Sequence, residues 1–206
     1  CYHCWVSFFN CSINKKIICL GNISLDDYPN FMSSIDSSNY FKLLRDELAW
    51  QIESYMLYGK QVKSPRMMAW YGDENAHYRY SGVSHKPLTW TAALLNIKLS
   101  IEDKVNHRFN SVLANLYRNG KDSMGWHSDK ETELGNEPVI ASLTLGETRR
   151  FCLRHNKSKQ VLELQLINGS LLIMHGETQN YWQHSLPKIN RPLGERINLT
   201  FRNIKL

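Results

Sequence analysis

Between Asn110 and Arg202 the chain breaks into seven short runs, SVLANLYR, VIASLTL, RRFCLR, VLELQL, SLLIM, YWQHSL and RINLTFR, each bounded by Gly, Asn, Asp, Ser or Pro. Apolar or alternating runs of this length, separated by turn formers, fold as strands. With no helical period between them, they can bury their apolar sides only sheet against sheet, so a sandwich or jelly roll is expected. Two helices should precede them. One is capped at Ser37 and Ser38, carries Phe41, Leu44 and Leu48 at helical spacing, and runs to about Trp50. The other follows Pro87, with Thr89 ahead of Leu94, Ile97 and Ile101. The fold class is therefore α+β and mostly β, a sandwich or jelly roll with its N-terminal helices packed outside. The intervening YGKQVKSPRMMAWYGDENAHYRYSGV is dense in Gly, Tyr and basic residues, as exposed hairpins carrying aromatic side chains are.

Composition narrows the class of partner. The 206 residues are 42% apolar and 21% charged, enough for a real core and incompatible with disorder of the whole chain. Six Trp, ten Tyr and seven Phe must be buried or shown to something flat, such as a nucleobase. A net charge of +6 favours a polyanionic partner. No run approaches the ~18 apolar residues of a membrane span, so no membrane partner is expected. Residues 1–25 are expected to form a poorly structured extension, and 26–206 a single domain that acts as a monomer. The start CYHCWVSFFNCSINKKIICL lacks the pattern of a secretory signal. Four of its residues, Cys1, His3, Cys4 and Cys11, could in principle bind zinc, but their spacing matches no common ligand pattern. An odd count of five cysteines points to reduced thiols and an intracellular location, cytoplasmic, or nuclear in a eukaryotic source.

The chemistry begins at WHSD. On a strand, His127 and Asp129 project from one face and can reach a single metal ion. Eight His and eight Asp in 206 residues supply about 0.3 such pairs by chance, so the pair alone is weak and reads equally well as a solvated turn. A third ligand would come from His155, His175 or His184. Two His and one carboxylate form a facial triad that leaves adjacent coordination positions open, as a non-haem Fe(II) oxygenase requires. Arg196, Asn198, Thr200 and Arg202 share one strand face, and two inward arginines are costly unless an anion neutralises them. A dicarboxylate would do so, as would carboxylates of the protein itself.

Taken together, NLYRNGKDSMGWHSD, ASLTLG, GSLLIM, YWQHSLP and RINLTFR resemble the AlkB-type Fe(II)/2-oxoglutarate dioxygenases that repair alkylated nucleic acid. The likeness spans about Asp26 to Asn203. It implies a double-stranded β-helix with nucleotide-recognition hairpins, and Fe(II), 2-oxoglutarate and O2 as cofactors. It puts the metal on His127, Asp129 and His184, and 2-oxoglutarate on Asn115, Tyr117, Arg196, Asn198 and Arg202. Tyr78 and Tyr80 would line the pocket for an alkylated base, and Glu131 would meet the base's exocyclic amine. Tyr58 falls at a hairpin tip, where duplex-handling relatives carry a wedge. Lys60, Lys63, Arg66, Arg149, Arg150, Arg154, Lys157 and Lys159 could form a phosphate track. The implied activity is oxidative demethylation of 1-methyladenine or 3-methylcytosine in DNA, single- or double-stranded, with RNA or protein substrates and a non-catalytic binding module as the competing readings.

Overall fold

The computed structural model describes residues 15–57, 59–76, 78–80 and 83–205. The strands in chain order are β1 Lys16–Leu20, β2 Ile23–Tyr28, β3 Ser54–Leu57, β4 Lys60–Lys63, β5 Met67–Gly72, β6 Tyr78–Tyr80, β7 Val83–His85, β8 Ser111–Tyr117, β9 Met124–His127, β10 Ile140–Gly146, β11 Arg149–His155, β12 Val161–Leu166, β13 Leu171–His175, β14 Trp182–Leu186 and β15 Arg196–Arg202. The helices are α1 Ser34–Glu47, α2 Ala92–Val105 and the one-turn α3 Thr178–Tyr181, with a 3-10 turn at Thr132–Leu134. All seven runs read from the sequence form strands. With β1, β2, β5 and β9 they build a seven-stranded sheet, β1-β2-β13-β10-β15-β8-β5, and a four-stranded sheet, β12-β11-β14-β9, in which every pairing is antiparallel. Two ribbons, β3-β4 and β6-β7, stand where hairpins were expected.

Alternation along the central strands decides what each face does. On β10, Ala141, Leu143 and Leu145 turn outward with Ile197, Leu199 and Phe201 of β15, and with Val112, Ala114 and Leu116 of β8, to pack on Leu44, Leu94, Ile97 and Ile101 of the helices. The opposite face looks into the sandwich. There Ile140, Leu172 and Met174 meet Phe151, Leu153, Trp182 and Leu186 of the smaller sheet in a second core. Ser142, Asn115, Tyr117, Arg196, Asn198, Thr200 and Arg202 share that inner face and line a cleft instead. A period-2 strand puts alternate residues on opposite faces, so the same strands hold the helices in place and supply the cleft's polar wall.

Several expectations are corrected. The cap of α1 is Ser33, whose Oγ accepts from Asp36 N at 3.0 Å and donates to Asp36 Oδ2 at 2.7 Å. Ser37 and Ser38 lie inside the helix and donate to Ser34 O. The helix stops at Glu47, because Leu48 is extended and leads the chain to Gln51, which bridges Met68. The cap of α2 is Thr91, two residues after the expected Thr89. Residues 16–25 are no loose extension: β1 and β2 form a hairpin docked on β13, with Ile18, Ile23 and Leu25 in the inner core. The candidate zinc residues Cys1, His3, Cys4 and Cys11 lie outside the described residues. One helical turn, α3, does interrupt the strand series. No helix among the described residues is long and apolar enough to cross a membrane.

Candidate active site

His127 ends β9 and stands opposite His184 of β14 in the ladder. Leu186 pairs with Met124, so three steps on β9 match two on β14, and the extra residue of this bulge aims His127 into the cleft. The two imidazoles meet edge to face with centroids 4.2 Å apart. Asp129 follows in the loop, its Oδ1 3.8 Å from His127 Nε2. Ligand atoms of His127, Asp129 and His184 all lie within 4.8 Å of one another, and no other such group of three occurs among the described residues. His155 caps the turn after β11, with Nδ1 accepting from Ser158 N at 3.0 Å, and His175 pairs with Asp26.

Each of the three side chains is held from behind. His127 Nδ1 lies 3.0 Å from Gly125 O, a bond that directs Nε2 to the metal position. Asp129 is 3% exposed and takes Arg202 Nη2 at 2.9 Å and Nε at 3.2 Å on Oδ2, so Oδ1 faces the histidines. Burial alone would raise its carboxyl, but Arg202, with His184 and His127, outweighs burial and holds it down at about 2. Burial, helped by the neighbouring His127, pushes His184 down to about 3. At neutral pH the cluster thus offers a carboxylate and a neutral buried imidazole, the forms that bind a divalent metal.

These shifts predict an acid limit. His184 has a folded value far below the 6.5 of a free imidazole, so between about 3 and 6.5 the unfolded chain holds the extra proton. The melting temperature of metal-free protein should therefore fall as pH is lowered through that window. Scanning calorimetry from pH 8 to 4 should show this slope, and His184→Gln should flatten it; an equal slope in the variant would place the cause elsewhere.

The cleft runs from these ligands to Arg196. Arg196 is buried and donates from Nη2 to Thr144 Oγ1 at 2.9 Å, while its Nε has no partner. Its guanidinium lies 5.3 Å from the centre of the Tyr117 ring. Burial brings it down to about 10, where it still carries its charge at neutral pH. A buried cation with an unused donor is a site for an anion. Asn115 lines the same wall, but Asn198 is already committed: its Nδ2 donates to Ser142 Oγ and Leu143 O, and its Oδ1 accepts from Thr200.

A family model described as the 2OG-Fe(II) oxygenase superfamily matches residues 25–202. The chain belongs to this superfamily. Relatives place it in the AlkB-type branch: it is 39% identical over 186 residues to the alpha-ketoglutarate-dependent dioxygenase alkB homolog 3 of Bos taurus, covering 85% of this chain and 64% of the relative. It is 35% identical over 189 residues to the DNA oxidative demethylase ALKBH2 of Mus musculus, covering 86% of this chain and 79% of the relative. The chain thus spans somewhat less than two thirds of the first relative's length. The solved structure of OsALKBH1 superposes with a TM-score of 0.64 at 17% identity, over 87% of this chain and 97% of that one, which establishes the shared fold. Fe(II), 2-oxoglutarate and O2 are the superfamily's cofactor set, and this chain's His, Asp, His cluster and the unpartnered Nε of Arg196 fit the metal and a carboxylate.

The remaining predicted residues divide. Arg66 is no surface phosphate contact: it is 6% exposed and donates from Nε to Asn115 Oδ1 at 2.6 Å. Arg149 is buried as well. Arg150 pairs with Glu163, and Arg154 lies over the Trp126 ring and donates to Gln183. Of the expected track, Lys63, Lys157 and Lys159 remain exposed charges. Tyr78 and Tyr80 lie on β6, in register with His85 and Val83. Glu131 opens the 3-10 turn two residues after Asp129 and is half-buried. Tyr58 lies outside the described residues. The sequence reading missed Gln179, whose Oε1 accepts from Asp129 N at 2.9 Å while Nε2 points at Met174 Sδ at 3.5 Å. It also missed Ser142 and Thr144, which the period-2 alternation of β10 against RINLTFR could have placed on the inner face.

Proposed function

We propose that this oxygenase removes N-linked alkyl groups from bases of the 1-methyladenine and 3-methylcytosine type in DNA, with the alkyl carbon released as formaldehyde. The observation that carries the reading is a His, Asp, His cluster in the same cleft as a buried guanidinium with an unused Nε. A polyanionic substrate is supported by the net charge of +6, and a DNA base by the mouse relative, a DNA oxidative demethylase.

His127, Asp129 and His184 would hold the metal from one side and leave the other side to co-substrate. Arg196 and Tyr117 would fix the far carboxylate of 2-oxoglutarate, while Asn115, held by Arg66, would contact the same molecule. Bound Fe(II), with 2-oxoglutarate and O2, supplies an oxidation that places one oxygen atom in a C–H bond of the alkyl group and the other in succinate, with loss of CO2. Tyr78 and Tyr80 would stack on the base once it leaves the helix, and Glu131 would take a hydrogen bond from its exocyclic amine. The resulting N-hydroxymethyl group sheds formaldehyde without an acid or base of unusual pKa, so the protein contributes positioning and exclusion of water.

Loading the protein with Fe(II) and 2-oxoglutarate without oxygen, then adding O2 and oligonucleotides bearing 1-methyladenine or 3-methylcytosine, tests this by mass. Repaired base with matching succinate is the expected result. Succinate formed only with methylated RNA or peptide would overturn the DNA assignment, and none with any substrate would overturn catalysis.

A wedge at Tyr58 would matter only where a base must leave an intact stack, a step that costs a few kcal/mol in duplex. Tyr58→Ala is thus expected to cut activity on duplex about tenfold and on single strands less than about twofold. Equal losses on both would assign Tyr58 to the pocket.

A further inference from the structure

Behind the co-substrate end of the cleft lies a cation that the proposed chemistry leaves unused. Arg149, the first residue of β11, is 1% exposed, yet it does not line the cleft. Its guanidinium donates to three backbone carbonyls: Asn119 O at 3.3 Å, Asp122 O at 2.9 Å and Pro187 O at 2.8 Å. No carboxylate lies within ion-pair distance of it among the described residues. The carboxylate of Asp122 is taken by Arg118, through Nε at 2.8 Å and Nη2 at 2.9 Å.

Those carbonyls belong to two loops that leave the site's own strands. Residues 118–122 follow β8, which carries Asn115 and Tyr117; Pro187 follows β14, which carries His184. The loops also touch directly, since Ile189 N donates to Gly120 O at 2.8 Å and a Cβ at Gly120 would collide with Ile189 O. Tyr117 touches both sides of this arrangement: its ring centre lies 5.7 Å from the Arg149 guanidinium and 5.3 Å from that of Arg196. One ring is therefore shared by a buried cation that lines the cleft and a buried cation that does not. Burial lowers both guanidiniums, and the charge of Arg149 lowers Arg196 further.

We propose that Arg149 is a positioning residue for 2-oxoglutarate: it fixes Tyr117 and the two loops behind it, and its charge adds to that of Arg196 in selecting a second carboxylate on the co-substrate. The inference rests on the proposed 2-oxoglutarate site. A second buried positive charge near Arg196 adds to the field that attracts an anion there, and a ring contacted by both guanidiniums loses little freedom when the anion arrives.

The test is calorimetric titration of 2-oxoglutarate into protein loaded with Mn(II) in place of Fe(II) and free of oxygen, with 2-oxobutyrate, which lacks the far carboxylate, as comparison. Arg149→Met is expected to weaken 2-oxoglutarate at least about tenfold, ~1.4 kcal/mol, while Mn(II) and 2-oxobutyrate affinities change less than about twofold. Arg149→Lys keeps the charge and one carbonyl bond, and should lose about threefold; in a Tyr117→Leu background, which removes the ring, it should cost less than in the wild type, because both changes act through the same contact. This second pair decides the question if Arg149→Met does not fold. Unchanged 2-oxoglutarate affinity in folded Arg149→Met, equal weakening of 2-oxobutyrate, or strict additivity with Tyr117→Leu would overturn the role. A wild-type protein that binds Mn(II) but not 2-oxoglutarate would instead overturn the co-substrate site, and this inference with it.

Discussion

Asp129→Ala is expected to abolish succinate formation and leave protein that retains little Fe(II) after gel filtration. Its carboxylate is the only anionic ligand in the cluster, and two imidazoles alone balance none of the metal's charge. The change also breaks a buried ion pair, because Asp129 Oδ2 holds Arg202 through Nη2 at 2.9 Å. Removing one member of such a pair costs about 3 kcal/mol or more, so the variant should also melt earlier. Asp129→Asn separates the effects: its amide oxygen can still accept from Arg202, restoring part of the stability, but it supplies no charge to the metal. Metal analysis and melting temperature on both variants check the prediction. Turnover by either variant at the wild-type rate would remove Asp129 from the metal site.

The ease with which this region could be read from sequence has a physical basis. Strands announce themselves through local alternation, and β8, β10 and β15 each carry an apolar face and a polar face strictly out of step. That alternation alone puts Arg196 and Arg202 on one side of β15. The β1-β2 hairpin was legible too, since Gly21 and Asn22 form a two-residue turn between KIICL and ISLDDY, with Gly21 at φ 59°. The cysteine-rich segment directly ahead of it, which shows no such alternation, masks where the ordered chain begins. In SSIDSS, serines at 33, 34, 37 and 38 all compete as caps. Ser33 prevails because Asp36, three residues on, completes reciprocal bonds with it.

Other residues give no local sign of what they do. Arg66 and Arg149 look like members of a basic surface, and only the tertiary fold buries them against Asn115 Oδ1 and three carbonyls. Gln179 sits on a helix of four residues, too short to show a period, and reaches back across 50 residues to Asp129 N. Contacts of this kind depend on which loops meet, information that strand alternation does not carry.

Arg196→Lys is expected to raise the Michaelis constant for 2-oxoglutarate at least tenfold, since a hydrogen bond to a charged group contributes roughly 1.5 to 3 kcal/mol and an ammonium cannot reproduce a guanidinium's parallel pair. The structure sharpens the reason. Arg196 Nη2 is anchored on Thr144 Oγ1 at 2.9 Å and Nε is left without a partner, so the fork is held in orientation before any anion arrives. Lysine is shorter, has no second planar donor, and would have to satisfy Thr144 and a carboxylate from one nitrogen. Desolvation, which already lowers the guanidinium to about 10, also penalises a buried ammonium, so part of the variant's charge is lost as pH rises. The loss in 2-oxoglutarate affinity should therefore be larger at pH 8.5 than at pH 6.5, while the Michaelis constant for oligonucleotide changes less than about twofold. Steady-state kinetics at the two pH values measure both. An unaltered dependence on 2-oxoglutarate would assign the carboxylate to another cation, and among the described residues Arg149, across the Tyr117 ring, would be the first to test.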